Sequence, residues 1–415
     1  MNVIMGLVGI VFLLAFAILL SNNWRAINKR TVILAFVLQA CFGAFVLYLP
    51  FGQKILLSMA NGVQWVIDCS NSGISFLFGG LASERMTELL GNSAFIFALK
   101  VLPVIVFFSS LIAVLYYLGI MQKVITVIGG GLQKLLKISR PEAMSATANI
   151  FVGLTEAPLV VRPFIARMTD SQLFAVMVGG TASVAGSVLV GYSSLGIELK
   201  YLVAASFMAA PGGLLMAKLI MPEQGTPVET IHPEDELEED QPINVIDAAA
   251  SGAAVGTKLA INVGGMLLAF LGLIALLNGV VLGLSNLLGF EGVTIEILLG
   301  YIFSPIAFLI GVPFEEALQA GSFIGQKLMV NEFVAYINFV EIKDTMSQHT
   351  QVIITFALCG FANLASIAIL VGGLGALAPS RRHDIARLGF KAVIAGSLSN
   401  LMSATLAGIF ISLAV

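Results

Sequence analysis

Two short stretches of the chain hold a carboxylate where a carboxylate is costly. In Asn149-Ile-Phe-Val152-Gly153-Leu154-Thr155-Glu156-Ala-Pro158, Glu156 stands between two apolar limbs, and in Val330-Asn331-Glu332 a second acid stands in a similar setting. An ionised Glu at bilayer depth persists only where it faces protein, water or a ligand. Gly153 permits a sharp turn, and Pro158 suits the first turn of a helix, where its missing N–H needs no partner. Each stretch reads as the tip of a re-entrant helical hairpin, a place where exposed backbone and a buried charge hold a small polar solute.

The interrupted segments together supply Asn149, Thr155, Glu156, Ser183, Glu332, Asn363 and Ser366, with no Lys or Arg among them. Two carboxylates repel an anionic solute, which argues against dicarboxylates, phosphates and nucleotides. They accept strong charge-assisted hydrogen bonds from a neutral solute rich in hydroxyls or N–H groups. Hard side-chain oxygens beside unwound backbone carbonyls also suit Na⁺. Enzyme chemistry finds little support. His232, His349 and His383 lie in linkers or at span ends, Ser183 has no base beside it, and no nucleophile elbow or metal-ligand spacing occurs. Cys41, Cys69 and Cys359 are far apart and read as small buried apolar residues.

The elements that must position these residues are membrane helices. The chain is 58% hydrophobic and 11% charged, with a mean hydropathy of +0.98, far from the balance of a soluble domain. Its net charge of −3 comes from eight acids between Glu223 and Asp240; the remainder is basic, as membrane-flanking loops are, and nothing suggests nucleic acid. Residues 3–20 read as a retained span, lacking a basic leader and a small-residue cleavage site. Residues 31–49 form the second span. Arg25, Lys29 and Arg30 lie between them without an acid, so that loop is expected in the cytoplasm and the N-terminus outside.

Residues 52–70 suit a surface helix and residues 95–118 a third span. Residues 121–138 suit an interfacial amphipathic helix, with Lys123, Lys134 and Lys137 on one face and a break expected at Gly129-Gly130-Gly131. The first hairpin, residues 141–168, has limbs of about a dozen residues, too short to cross ~30 Å at 1.5 Å per residue. Residues 173–192 form a span interrupted by Gly179, Gly180, Ser183, Gly186 and Ser187, and residues 201–220 a cleaner one. Residues 222–242 are an acidic, proline-containing linker expected to be mobile. The long span at 259–288 carries Gly265, Gly272, Gly279 and Gly283, a stripe for close packing either between subunits or within the chain.

Residues 295–311 are interrupted by Gly300, Ser304 and Pro305 and read as a partial or interfacial helix, followed by the second hairpin at 313–339. Together these make no net crossing, which keeps Arg381, Arg382 and Arg387, after the span at 356–377, in the cytoplasm. Residues 393–413 are the last span. The expected fold is an all-α polytopic membrane protein of eight transmembrane helices, two re-entrant hairpins and interfacial helices. An internal repeat supports it: Gly180-Thr-Ala-Ser183-Val-Ala-Gly186 and Gly360-Phe-Ala-Asn363-Leu-Ala-Ser366 match position for position after the two acidic tips. Hairpins entering from opposite sides make the halves inverted repeats, which puts a substrate site at the midplane.

Gly153-Leu-Thr-Glu-Ala-Pro, Val330-Asn-Glu-Phe-Val-Ala, Cys359-Gly-Phe-Ala-Asn-Leu-Ala-Ser and the Ala-Ala-Pro-Gly-Gly run at 209–213 resemble signature segments of the concentrative nucleoside transporters, most closely the bacterial sodium-coupled members. The eight crossings and the basic loops put both termini outside, in the periplasm; the resemblance implies a homotrimer of such subunits in the bacterial inner membrane. It implies a scaffold, here 1–120 and the oligomerisation helix at 245–290, around a mobile transport domain that moves as an elevator. The transport domain is then 121–221 and 291–415, with 222–244 as the linker. The resemblance puts Na⁺, the coupling ion, on the Asn149 and Ser183 side chains and the Val152 and Val184 carbonyls, with no other cofactor. It sets Thr155, Glu156 and Val188 at the nucleobase, beside Gly153 and Leu154. Glu332, Asn363 and Ser366 hold the ribose, with Phe361 packed against it. Many family members carry Gln where this chain has Leu154, and losing that amide implies a relaxed or purine-leaning base preference. The rival expectation is proton coupling through Glu156 or Glu332.

Overall fold

The structure, a computed structural model, describes residues 2–82, 96–229, 242–290 and 292–414, and among these the regular structure is helical throughout. In chain order the main helices are α1 (Asn2–Leu19), α2 (Lys29–Gly43, continued by a π turn, Ala44–Tyr48), α3 (Pro50–Phe78), α4 (Leu102–Tyr117) and α5 (Ile120–Leu136). Then follow α6 (Arg140–Ala148), α7 (Asp170–Ala182), α8 (Gly186–Ser194), α9 (Leu199–Ile220) and α10 (Val245–Leu287). The chain closes with α11 (Ile295–Leu309), α12 (Phe314–Met329), α13 (Glu332–Ile342), α14 (Gln348–Leu358), α15 (Ala365–Leu377) and α16 (Arg382–Ala414).

Six of the described helical tracts are long and apolar enough to cross a membrane, and a seventh is reached if the bent pair α11–α12 counts as one. They differ in what covers them. The most apolar windows of α7–α8 and α9 are each 94% buried within the chain, whereas that of α10 is 6% buried. The interior is therefore α7 and α9 packed on α16, with α1 and α14 against the same helix; α8 lies between α9 and α4, and α4 and α10 form an outer wall. Gly252 and Gly256 allow α10 to lie directly on α4, since a Cβ on them would sit 2.7 Å from the Ser109 carbonyl oxygen and 2.8 Å from Val106 Cα. A Cβ on Gly265, Gly272, Gly279 or Gly283 would meet nothing within 4 Å beyond its own helix, so among the described residues this stripe packs against no other element.

Contacts sort the loops into two ends. At one end, Lys391 donates to Asn22 (2.5 Å), Thr31 donates to the Leu136 carbonyl (3.0 Å), and Arg381 and Arg387 bond Asp170 (both 2.8 Å), beside the base of the first hairpin. At the other, Lys343 donates to the Gly196 carbonyl (2.7 Å), and Ser347 bonds Glu316 at the base of the second hairpin (2.7 and 2.8 Å). Since α7 and α8 run from Asp170 to Ser194, the two hairpin bases lie at opposite ends of the molecule.

Four expectations are corrected. Gly129-Gly130-Gly131 does not break α5: its apolar stripe of Met121, Ile125, Gly129, Leu132 and Leu136 is buried, and packing overrides the weak propensity. Nor do Gly300, Ser304 and Pro305 break α11. Pro305 cannot bond the Tyr301 carbonyl one turn back, and the Ser304 hydroxyl donates to that carbonyl instead (3.3 Å). The surface helix of residues 52–70 extends to 29 residues as α3. The start of the acidic linker is held in place. Val228 exchanges two hydrogen bonds with the Gln172 side chain (3.1 and 3.0 Å), and Glu229 accepts from the Arg140 amide (3.1 Å). Residues 230–241 of that linker lie outside the described residues, as do 83–95 of the N-terminal segment.

Candidate functional site

The polar residues singled out in the sequence sit where helices stop early. α7 ends at Ala182, the chain runs extended through Ser183–Ala185, and α8 resumes at Gly186. α14 ends at Leu358 and α15 starts at Ala365. The two breaks meet: the Phe361 amide donates to the Ser183 carbonyl at 3.1 Å. The first tip rests on this crossing, since a Cβ on Gly153 would lie 3.1 Å from Ala185 Cβ and 3.8 Å from the Phe361 ring. Asn400 of α16 stitches the crossing from behind. Its amide donates to the Ala182 carbonyl (2.6 Å) and the Cys359 carbonyl (2.9 Å), two acceptors left over where helices end.

Glu332 opens α13, where the helix dipole favours a negative charge, and Asn331 caps that helix by accepting from the Val334 amide at 2.9 Å. Each oxygen of the Glu332 side chain has one donor and keeps room for another. Oε1 accepts from the Tyr192 hydroxyl (3.0 Å) and Oε2 from the Asn363 amide (3.0 Å). Asn363 Oδ1 in turn accepts from the Ser366 amide (2.9 Å) and hydroxyl (3.1 Å), and that hydroxyl also bonds the Phe361 carbonyl. Asn331 Nδ2 is buried and has no partner among the described residues.

The expectation of a site without Lys or Arg is corrected here. Lys327, near the end of α12, is buried and donates to the Ala357 carbonyl (2.8 Å) and Asn400 Oδ1 (2.7 Å), on the same Asn400 that stitches the crossing. In sequence it reads as an ordinary lysine in the last turn of a helix. Tyr192 and Asn400 were also missed. A lone Asn inside the long apolar tract of residues 393–413 is the signal that marks Asn400, because a buried amide in a membrane helix needs partners.

Glu156 accepts from the Gly153 amide at 2.9 Å, which closes the first tip. It lines a cavity of about 700 Å³ between the hairpin, α4, α5 and the start of α10, with Tyr116, Gln122, Thr126, Arg162 and Ser187 among the other polar walls. That is room for a small solute and its water. The Tyr116 hydroxyl and Arg162 Nε on this cavity have no partner among the described residues. Thr155 is exposed with its methyl toward Gly373, and Val188 is buried and is not on the cavity wall. Leu154 is buried against Gly180 of α7 and is not on the cavity wall.

The last group gathers oxygens. Asn149 Oδ1 accepts from the Ser183 hydroxyl at 3.3 Å, and its amide is turned away to the Ser145 carbonyl at 2.9 Å. The Gly186 amide donates to the Phe151 carbonyl (3.0 Å), which brings the segment holding Val152 alongside the break holding Val184. Neither the Val152 nor the Val184 carbonyl accepts a hydrogen bond among the described residues. Uncommitted neutral oxygens in a buried place fit a small hard cation better than a proton.

Comparison with known proteins follows the same lines. A family model described as the Na⁺ dependent nucleoside transporter C-terminus matches residues 201–408, its N-terminal companion matches 8–81, and a model for nucleoside recognition, the gate, matches 98–198. The chain is 56% identical to an uncharacterized transporter of Haemophilus influenzae, over 100% of this chain and 99% of that one. It is 49% identical to the nucleoside permease NupC of Helicobacter pylori over 98% of each. Among solved structures, CNTnw in an inward-facing substrate-bound state is 57% identical, matches 100% of this chain and 99% of that one, and superimposes with a TM-score of 0.95.

Proposed function

The chain belongs to the concentrative nucleoside transporter family, and from that premise we propose that it is a sodium-coupled symporter taking up nucleosides across the bacterial inner membrane. One observation carries the coupling: the ribose-type and cation-type clusters share a single run of bonds. Glu332 bonds Asn363, Asn363 bonds Ser366, and Ser366 bonds the Phe361 carbonyl. The Phe361 amide then bonds the Ser183 carbonyl, and the Ser183 hydroxyl bonds Asn149. Sodium held by Asn149, Ser183 and the Val152 and Val184 carbonyls fixes the α7–α8 break. That break fixes Phe361, and with it the pocket of Glu332, Asn363 and Ser366 that accepts the ribose hydroxyls. A nucleoside therefore binds best after the ion, which is what symport requires.

Thr155, Glu156 and Val188, with Gly153 and Leu154 behind them, face the base. The Leu154 side chain packs on Gly180 and off the cavity wall, so a relaxed or purine-leaning base preference requires that it turn onto the base when a nucleoside binds; if it stays turned away, selectivity is unchanged. Competition of labelled uridine uptake by adenosine and inosine measures this, and purines competing far worse than cytidine would remove the idea.

The hairpins at 141–168 and 313–339 are re-entrant and enter from opposite faces, a reading supported by their bases lying at opposite ends of the molecule. They belong to a transport domain of residues 121–221 and 291–415 that moves as an elevator past a scaffold of residues 1–120 and 245–290, with eight crossings and both termini periplasmic. The decisive experiment is nucleoside uptake into proteoliposomes with and without a sodium gradient. Uptake that ignores sodium and follows a pH gradient would establish the alternative, proton coupling through Glu156 or Glu332.

A further inference from the structure

The tip of the second hairpin leaves one donor over. Asn331 lies there with only 2% of its surface exposed. The chain on either side of it is tied to the break between α14 and α15. The Leu364 amide donates to the Leu328 carbonyl (3.1 Å), and the Asn363 side chain donates to Glu332 (3.0 Å). Asn331 is therefore held between two attachments, at the junction where the tip meets the break. Its Oδ1 caps α13 by accepting from the Val334 amide (2.9 Å). That bond fixes which branch of the side chain is the nitrogen, since an acceptor must face the backbone N–H. Nδ2, with two hydrogens to give, is buried and bonds nothing among the described residues.

Capping does not account for this nitrogen. Ser or Asp caps a helix as well as Asn does, and neither strands an amide donor. A buried donor without a partner is costly, and folded proteins nearly always pair one. The neighbouring hydroxyls are already spent within the protein: that of Tyr192 on Glu332 Oε1, that of Ser366 on the Phe361 carbonyl. The ionised Glu332 carboxylate can only accept. A ribose hydroxyl that gives its hydrogen to Glu332 still carries an oxygen that needs a donor, and the adjacent residue has one to give.

We propose that Asn331 is a substrate-positioning residue, donating through Nδ2 to the oxygen of a ribose hydroxyl whose hydrogen Glu332 accepts. The two neighbouring residues thus read one hydroxyl both as donor and as acceptor, which a carboxylate alone cannot do. The ligand class is a nucleoside with an intact 2′,3′-diol; a deoxynucleoside lacking that hydroxyl leaves both groups unmatched. The proposal deepens the nucleoside-uptake reading and rests on it.

The test is calorimetry on the purified full-length protein at saturating sodium, for the wild type, Asn331→Ser and Asn331→Asp. The ligands are uridine, 2′-deoxyuridine and 3′-deoxyuridine, the weaker ones measured by displacement of uridine. Both variants keep a side-chain oxygen to cap α13, so their melting temperatures should stay close to the wild type's. Each should bind uridine at least roughly five- to tenfold more weakly, the loss expected for one hydrogen bond. For the deoxynucleoside that lacks the partner hydroxyl, the substitution should cost nothing further, because that bond is already gone. No loss for uridine, or an equal loss for all three ligands, overturns the proposal, and either variant alone gives this reading. Failure of both variants to fold assigns Nδ2 to a bond within the protein and overturns it too. A wild type that does not bind uridine would refute the nucleoside reading itself, and that result is read without any variant.

Discussion

Glu332 spends both carboxylate oxygens on neutral donors, so each donor can be removed separately. Losing one hydrogen bond to a charged group costs ~1.5 kcal/mol, about tenfold in an equilibrium constant. Tyr192→Phe should weaken uridine binding by about that factor, since the ring stays packed between Phe333 and Tyr336 while only the hydroxyl is lost. Glu332→Ala should abolish uptake, and Glu156→Gln should weaken binding with the fold intact, both checked against melting temperature. Near-normal transport by both would contradict the assignment. Asn149→Ala removes one oxygen from the cation cluster and should raise the sodium concentration for half-maximal uptake; no change there would move the ion elsewhere. At this scale the acids and small polar residues were legible because charge and amide groups in an apolar run stand out. Lys327 was not. A lysine in the last turn of a helix is ordinary, and only the fold reveals that its side chain turns inward to Ala357 and Asn400.

The crossing of two broken helices depends on close approach. A Cβ on Gly360 would fall within contact of Asn400 Oδ1, and Asn400 cannot yield because its amide is pinned to two carbonyls and its oxygen to Lys327. Gly360→Ala should therefore cost ~1–3 kcal/mol as an overpacking change and lower the melting temperature. Gly372→Ala, where nothing lies within 4 Å, should not. Equal melting of the two variants would mean that the crossing is looser than its bonds imply. The same comparison explains which elements could be read in advance. The breaks at 183–185 and 359–364 were legible because small and polar residues cluster there with no apolar face to rescue a helix. Gly129-Gly130-Gly131 and Pro305 carry equally strong breaking signals, yet a buried stripe overrides the first and the Ser304 hydroxyl replaces the bond lost at the second. Local propensity was correct in each case; what differed was a tertiary partner that a linear reading does not contain.

For the whole molecule, the decisive element is α10. At 1.5 Å per residue its 43 residues run ~65 Å, about twice the ~30 Å hydrocarbon thickness, so the helix leans steeply or extends beyond the bilayer. Its contacts with α4 use Gly252, Gly256 and Gly264, which leaves Gly265, Gly272, Gly279 and Gly283 open, among exposed leucines such as Leu268, Leu276 and Leu284. Leucine alone is as content in lipid as against protein, but small residues add close backbone approach, which lipid cannot exploit. We propose this face as the contact between subunits of a homotrimer, each chain holding its own nucleoside site. Native mass spectrometry from detergent should give three times the 43.8 kDa chain. Gly272→Leu combined with Gly279→Leu should shift that mass toward the single chain while uridine binding per chain is unchanged, because both lie on the open stripe of α10 and neither lines the Glu156 cavity. A wild type that runs as a monomer would refute the trimer. A double variant that remains trimeric would move the interface to another face.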